Sequence, residues 1–264
     1  MTEITLNTNK LLFEVVDHTA LITINNPPAN TWNDESLKAL KSLIQSLNKD
    51  DNIYSLVITG QGEKFFSAGA DLNLFADGDK NVARDMACVF GEAFETLSQF
   101  RGVSIAAING FAMGGGLECA LACDIRIAET QAKMALPEAT VGLLPCAGGT
   151  QNLPWLVGEG WAKRMILCGE RVDADKALAI GLVEEVVATG KALQTALDLA
   201  AKVAKQSPSS VTACKKLIQA GRSNPMQQAL PAERDYFVEL FDTADQSEGV
   251  NAFLEKRKPL WKNK

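Results

Sequence analysis

Histidine is almost absent from this sequence, since His18 is the only one among 264 residues. A catalytic Ser-His-Asp or Cys-His arrangement would therefore have to use His18. That residue stands between Asp17 and Thr19, where the pattern predicts a turn between two strands. A catalytic role for His18 is disfavoured, so general acid–base chemistry must fall mainly to carboxylates.

Paired metal-ligand motifs are also lacking. The six cysteines form no CxxC pair, and with one histidine a zinc site is not expected. Buried free thiols are the favoured interpretation, and they imply a reducing compartment. The cysteines are Cys88, Cys119, Cys123, Cys146, Cys168 and Cys214.

No long apolar run marks a secretion signal or a membrane span. Residues 1–12 are largely polar, so we predict neither, and we predict a cytoplasmic protein with no membrane partner. An excess of positive charge is lacking too, because the net charge is -6. This balance argues against a general nucleic-acid binder, although a local basic patch can still hold an anionic small molecule.

The sequence does contain a regular alternation of strand and helix signals. Helices are predicted from a cap at Asn33 or Asp34, within 82–100, and from Gly114 to about Cys123, whereas the small residues of 65–71 predict a loop. Four such alternations predict an α/β core. The predicted strands are 11–16, 20–24, 53–59, 103–108, 125–128 and 182–187, and the first helix has one apolar face formed by Leu37, Leu40, Ile44 and Leu47.

The C-terminal part differs from this core. No strand is predicted after 182–187, and residues 190–257 have the pattern of helices with short breaks. Ser207 followed by Pro208 is a typical helix start. We therefore predict an α/β core at 1–195 and a helical region at 196–264, and such helical tails often build oligomers.

Two glycine- or alanine-rich stretches leave the backbone bare. Ser67–Ala70 can either offer N–H groups to a ligand or form a packed tight turn, and alone it favours the turn. Gly114–Gly116 follow a buried strand and open a helix, where free N–H groups and the helix dipole stabilise a negative oxygen. They do not fit GxGxxG, because position 119 is Cys, so a dinucleotide site is not indicated.

Two glutamates lie in apolar surroundings. Glu118 falls in the first turn of the predicted helix, where it is either a favourable charge at the dipole or a partly buried acid with a raised pKa. Glu138 is the only charged residue between Lys133 and Glu159, so it is either exposed on a loop or functional. The residues alone indicate acid–base chemistry on a carbonyl compound and name no substrate.

Six segments in order resemble the crotonase superfamily, the enoyl-CoA hydratase/isomerase family. The resemblance extends from about residue 10 to the C-terminus. It implies a spiral of ββα units with two nearly perpendicular sheets and a C-terminal helical trimerisation region, hence a homotrimer or a hexamer made of two trimers. The segments are Phe66–Leu72, Ile105–Gly110, Gly114–Glu118, Leu136–Glu138, Ala147–Gln151 and Gly249 with Phe253–Lys258.

The resemblance is closest to 2-enoyl-CoA hydratases, which carry both glutamates. It implies that Glu118 orients water and takes its proton, while Glu138 delivers a proton to Cα. The backbone N–H groups of Ala70 and Gly115 would form the oxyanion hole. It implies no metal or redox cofactor, since coenzyme A enters as part of the acyl thioester substrate. Fatty-acid or related acyl-CoA degradation, including β-oxidation, is the expected context.

Further residues are expected by resemblance to bind the coenzyme A part of the substrate: Lys64, Ala68, Ala70, Asp71, Leu72, Asn73 and Gly115. The sequence departs from the family pattern at Gly102-Val103, where Lys-Pro is frequent, at Cys146, where Gly is usual, and at Asn152, where Arg is usual. These departures bear on loop shape and acyl-chain preference. We expect the acyl pocket around Phe111, Met113, Leu143 and residues 75–82.

Two alternatives accompany the hydratase prediction. One is another crotonase-fold enzyme, such as an enoyl-CoA isomerase, a decarboxylase or a thioester hydrolase. The other is a non-catalytic homologue that binds RNA or a partner protein. Both glutamates favour the hydratase, and the acidic balance disfavours the RNA binder. Lys256-Arg257-Lys258 is interpreted as a solvated helix end, although family analogy also allows contact with a coenzyme A phosphate.

Overall fold

The computed structural model describes residues 6–264, and residues 1–5 of the N-terminal segment considered above lie outside them. Within that range, no helix has the length and apolar character needed to cross a bilayer. The strands are β1 (Leu11–Val16), β2 (Thr19–Ile24), β3 (Ser55–Gly60), β4 (Phe65–Ser67), β5 (Val103–Ile108), β6 (Phe111–Met113), β7 (Ile125–Glu129), β8 (Lys133–Ala135), β9 (Val172–Asp173) and β10 (Glu185–Val187). The helices are α1 (Asp34–Leu47), α2 (Lys80–Ser98), α3 (Gly115–Ala122), α4 (Gly149–Leu167), α5 (Ala174–Ala179), α6 (Ala192–Val203), α7 (Pro208–Ala220), α8 (Met226–Glu239) and α9 (Ala244–Leu254).

The six predicted strands form one sheet in the order β1-β2-β3-β5-β7-β10. β1 and β2 are an antiparallel hairpin, and each later strand joins its neighbour in parallel. The last strand begins three residues later than predicted, at Glu185. Residues 182–184, predicted as strand, are instead held by the Arg126 side chain, which donates to the Leu182 carbonyl at 2.9 Å and pairs with Glu184.

A second sheet, in the order β4-β6-β8-β9, was not predicted from the residues. Its strands have two or three residues each, too few to show a period of two. The prediction of a loop throughout 65–71 is wrong in its first part, because Phe65–Ser67 form β4 and pair with β6.

The order of elements gives successive ββα units. The chain passes through β3, β4 and α2, then β5, β6 and α3, then β7, β8 and α4, with one strand of each pair in each sheet. The predicted crotonase-like α/β spiral is confirmed. The parallel register matters for the site, because it brings the segments that follow β4, β6 and β8 to one side of the small sheet.

Buried apolar side chains cover both faces of the large sheet. α1 begins at an Asn33 cap, as predicted, and its predicted apolar face is fully buried against α2 and the sheet. On the other face, α6 packs Ala192, Ala196 and Ala200 against Val57 and neighbouring strand residues. Side chains from one strand thus alternate between two cores, as expected for a central strand.

α7, α8 and α9 follow α6, and no strand follows β10, as predicted. Ser207 accepts a hydrogen bond from Ser210 N–H at 3.3 Å and Pro208 is the first helical residue of α7, which confirms that helix start. Lys215 fastens α7 to the core through Asp124, at 2.7 Å. Residue 195, the predicted division point, lies inside α6; the division into two domains stays a prediction.

Gly102, one of the departures from the family pattern, has a local structural reason. A Cβ at this position would collide with the Tyr54 carbonyl, so the turn into β5 requires the close backbone approach that only glycine permits.

Candidate active site

Glu118 is buried in the first turn of α3, with only 3% of its surface exposed. A charge at the helix dipole would gain its small stabilisation while exposed, so burial among apolar neighbours needs another reason. The structure supplies partners: the N–H groups of Ala147 and Gly149 both donate to Glu118 Oε1, at 2.8 and 2.9 Å. These two hydrogen bonds hold one carboxyl oxygen at the start of α4 and thereby fix the orientation of the carboxyl group.

Burial raises the pKa of Glu118 above the ordinary glutamate value, while the hydrogen bonds from Gly149 and Ala147 lower it and offset part of the shift. Desolvation is the larger effect. The carboxyl can therefore exchange a proton closer to neutrality than an exposed glutamate.

Glu138 opens a one-turn 3-10 helix, Glu138–Val141, directly after β8 and Leu136-Pro137. It is half-buried, and among the described residues its Oε2 is enclosed without a hydrogen-bond partner. Burial raises its pKa to about 7; its own backbone N–H lowers it, and the nearby charge of Glu118 raises it. A carboxyl with this pKa is partly protonated near neutral pH and can act as a proton donor.

Ala70 presents its backbone N–H on the side away from Trp32. The flanking groups are used in a parallel bridge, in which Trp32 N–H donates to the Gly69 carbonyl and Asp71 N–H donates to the Trp32 carbonyl. Because successive N–H groups of an extended chain point to opposite sides, that of Ala70 faces the other way. It donates no hydrogen bond within residues 6–264. The Ser67–Ala70 stretch therefore consists of the end of β4 followed by a β-bridge to Trp32.

Gly115 is the first residue of α3, so its N–H has no acceptor within the helix. The preceding Gly114 has a φ of 52°, which turns the chain from β6 into α3. A Cβ built on Gly69 would lie 3.2 Å from Gly115 N. The two bare segments are therefore in contact.

A cavity of about 240 Å³ joins these groups. Glu118, Glu138, Ala70 and Gly115 all line it, so the structure brings together the four predicted groups from three segments of the chain, since Gly115 and Glu118 both belong to α3. Their individual catalytic roles stay predictions.

The predicted coenzyme A residues separate into two sets. Ala68 and Leu72 line the cavity with Ala70 and Gly115, whereas Lys64, Asp71 and Asn73 do not. Asp71 caps the 3-10 helix Leu72–Phe75, accepting hydrogen bonds from the N–H and the side-chain amide of Asn73 at 3.1 and 2.8 Å. Lys64 is exposed. Contact of any of these residues with coenzyme A stays a prediction.

Other cavity residues differ from those expected to shape the pocket. Phe75 and Leu143 line the cavity, but Phe111 and Met113, both in β6, do not. Phe90, on α2, was not predicted, and nothing in the apolar pattern of that helix distinguishes it. Cys146 lies in the wall, where burial first, then Glu118 and Glu138, raise its pKa to about 11.

An α/β spiral with two carboxyls and two free amides around one apolar cavity defines a class of enzyme that performs acid–base chemistry on a carbonyl compound. The family model for enoyl-CoA hydratase/isomerase matches residues 15–264. The chain therefore belongs to the enoyl-CoA hydratase/isomerase family, within the crotonase superfamily.

Individual relatives match almost over their whole lengths. The short-chain-enoyl-CoA hydratase of Clostridium acetobutylicum is 38% identical, over 95% of this chain and 96% of the relative. The 2,3-dehydroadipyl-CoA hydratase of Escherichia coli is 39% identical, over 92% and 95%. A solved structure of Pseudomonas aeruginosa DspI is 69% identical, with a TM-score of 0.96, over 99% of this chain and 100% of that one.

Gly149→Ala tests whether the amide anchor positions Glu118. A Cβ there would lie 2.9 Å from Glu118 Oε1, Leu136 Cδ1 and Pro145 Cβ, so the carboxyl must move. Since small displacements of a catalytic group cost up to about a hundredfold, we expect turnover of an enoyl thioester to fall at least about tenfold.

Gly160→Ala is the matched control, because Gly160 lies in the same helix and a Cβ there meets no atom within 4 Å. It should keep full turnover. Equal turnover of the Gly149→Ala variant and its control, with both folded by circular dichroism, would contradict the anchoring role.

Proposed function

We propose that this protein is an enoyl-CoA hydratase that adds water syn across the double bond of a trans-2-enoyl-CoA and gives a 3-hydroxyacyl-CoA. The observation that carries the proposal is the pair of carboxyls with raised pKa values beside two free amides in one cavity. Family membership and the hydratase relatives support it.

The two amides act on the thioester carbonyl. Addition of water at Cβ places negative charge on the thioester oxygen, as an enolate. The N–H groups of Ala70 and Gly115 have no other acceptor within residues 6–264 and come from rigid backbone, so they stabilise that charge without reorganising. Loss of one such donor costs on the order of 3 kcal/mol in comparable sites.

The carboxyls divide the proton transfers. Glu118 has one oxygen fixed by two amides, so its other oxygen orients a water molecule and takes a proton as the water oxygen bonds to Cβ. Glu138, protonated, gives its proton to Cα. Transfer of the proton from Glu118 to Glu138, directly or through solvent, restores both groups.

This reaction uses no metal or redox cofactor, and coenzyme A takes part only as the substrate's carrier group. Carboxyls at both positions support hydration over isomerisation, decarboxylation or thioester hydrolysis. Fatty-acid or related acyl-CoA degradation, in the cytoplasm, is the proposed setting on the sequence alone.

Glu118→Gln and Glu138→Gln test the assigned roles. Each should lower hydration of crotonyl-CoA, followed as loss of the conjugated thioester absorbance, by on the order of a hundredfold or more. The fold should persist in the Glu118→Gln variant, because the oxygen of the new side-chain amide can still accept both backbone hydrogen bonds.

The matched control is Glu159→Gln, which removes the same charge from an exposed residue of α4 and should leave turnover unchanged. A fully active Glu138→Gln enzyme would contradict proton donation. Absence of hydration by the unmodified protein with every enoyl chain length would overturn the proposed function.

The pH dependence follows from the same pair. Glu138 must be protonated to donate, and its pKa is about 7, so kcat/KM should fall about tenfold per pH unit above that value. Glu118 must be ionised, and its pKa is raised, so a second loss should appear on the acidic side. Because the two carboxyls interact, the two midpoints of the pH profile are properties of the pair and not of either residue alone.

The measurement is kcat/KM for crotonyl-CoA between about pH 5 and 9 at constant ionic strength. The residual activity of Glu138→Gln should lack the alkaline limb. A profile that stays level through the alkaline side in the unmodified protein would contradict donation by Glu138.

We further propose a homotrimer, or a hexamer of two trimers. The C-terminal helices expose large apolar side chains, including Phe253 at 83% and Phe237, whose ring lies 5.5 Å from that of Phe241. Such exposed apolar surface usually marks an interface. Light scattering should give about 85 kDa for three chains of 28.4 kDa, or about 170 kDa for six. A single-chain mass would contradict the assembly.

A further inference from the structure

The mouth of the active-site cavity is walled by apolar side chains that remain in solvent. Leu72, Val141, Leu143 and Leu144 all line the cavity, and each is an exposed large hydrophobic residue, Leu144 to 66%. Exposed apolar groups gathered at one opening mark a binding surface rather than the scattered exposure of an ordinary protein surface. This wall is suited to an apolar part of a ligand.

Charge in the cavity has one sign. Among the residues of 6–264 that line it, none is Lys, Arg or His, and the charged ones are Glu118 and Glu138. A carboxylate on the acyl group of a substrate would therefore lose its water on entering the cavity without gaining a cation as partner. An ionised Glu118 would also repel it.

The two neutral polar side chains of the wall do not supply strong donors. The Thr140 hydroxyl donates to the Pro137 carbonyl at 2.6 Å, so its hydrogen is already used. Cys146 carries a protonated thiol at neutral pH and offers only a weak S–H donor. Neither group replaces an arginine or a lysine for a carboxylate.

We propose that this site selects acyl thioesters with an uncharged, apolar acyl group and rejects acyl groups that end in a carboxylate. The inference rests on the proposed function for the hydration step and adds the class of acyl group. It separates this chain from relatives whose acyl substrates carry a terminal carboxylate.

Two pairs of ligands isolate the terminal group. Hexanoyl-CoA and adipyl-CoA have the same six carbons and differ by a methyl against a carboxylate, and their Kd values can be compared by calorimetry without any reaction. trans-2-Hexenoyl-CoA and 2,3-dehydroadipyl-CoA are the corresponding pair for kcat/KM. We expect a preference for the uncharged member of about a hundredfold, which corresponds to about 3 kcal/mol at 1.4 kcal/mol per tenfold.

Leu144→Arg places a cation at the mouth, outside the catalytic groups. It should reduce the preference at least about tenfold by improving adipyl-CoA binding, since an Arg–carboxylate pair replaces an unpaired carboxylate. Leu144→Gln is the matched control, polar but uncharged, and it should not improve adipyl-CoA binding.

The outcomes separate the two proposals. Equal or tighter binding of adipyl-CoA by the unmodified protein would overturn the selectivity, whatever the hydration assay gives. Tighter binding of hexanoyl-CoA together with no hydration of trans-2-hexenoyl-CoA would support the selectivity and overturn the hydratase function.

Discussion

The site depends on a close backbone contact between segments that are distant in sequence. Residues 64–67 run so near their neighbours that a Cβ on Gly60, Gly110 or Gly116 would overlap their backbone atoms. Glycine at these points lets the start of α3 approach β4, and Ala70 and Gly115 then line the same cavity. Backbone donors lose no side-chain entropy when a ligand binds, which suits these two amides to the oxyanion-hole role proposed above.

This arrangement buries Glu118, which disfavours its ionised form. Hydrogen bonds from the start of α4 offset part of that unfavourable burial. Two amides hold one oxygen of Glu118, whereas Glu138 keeps an enclosed oxygen without a partner among the described residues. Hydrogen bonds to the charged form favour ionisation, and enclosure without them favours protonation. Both pKa values are raised, but the two amides offset part of the shift at Glu118, and this difference supports the base and acid roles proposed above.

The sequence predicted the parts of this structure that have a readable period. The six strands of the large sheet and the apolar face of α1 were found, because each shows a continuous or alternating apolar pattern. β4, β6, β8 and β9 were missed as strands, because two or three residues show no period. Residue patterns left Glu118 and Glu138 ambiguous, since burial and convergence arise only when distant segments pack. The family resemblance predicted both glutamates and the two amides, which the structure brings to one cavity, but it did not predict Phe90, whose place in the wall depends on how α2 lies against α3.

Acid–base tuning and acyl selectivity share one physical origin in this cavity. The pKa of Glu138 reaches about 7 because apolar surroundings and Glu118 disfavour its ionised form. A lysine or arginine close enough to pair with a carboxylate on the substrate would favour that ionised form and lower the pKa. The protonated fraction of Glu138 at neutral pH would then fall, and proton delivery to Cα would slow. A site that accepts a charged acyl group must therefore hold its cation far from the two glutamates, and an apolar wall avoids this conflict entirely.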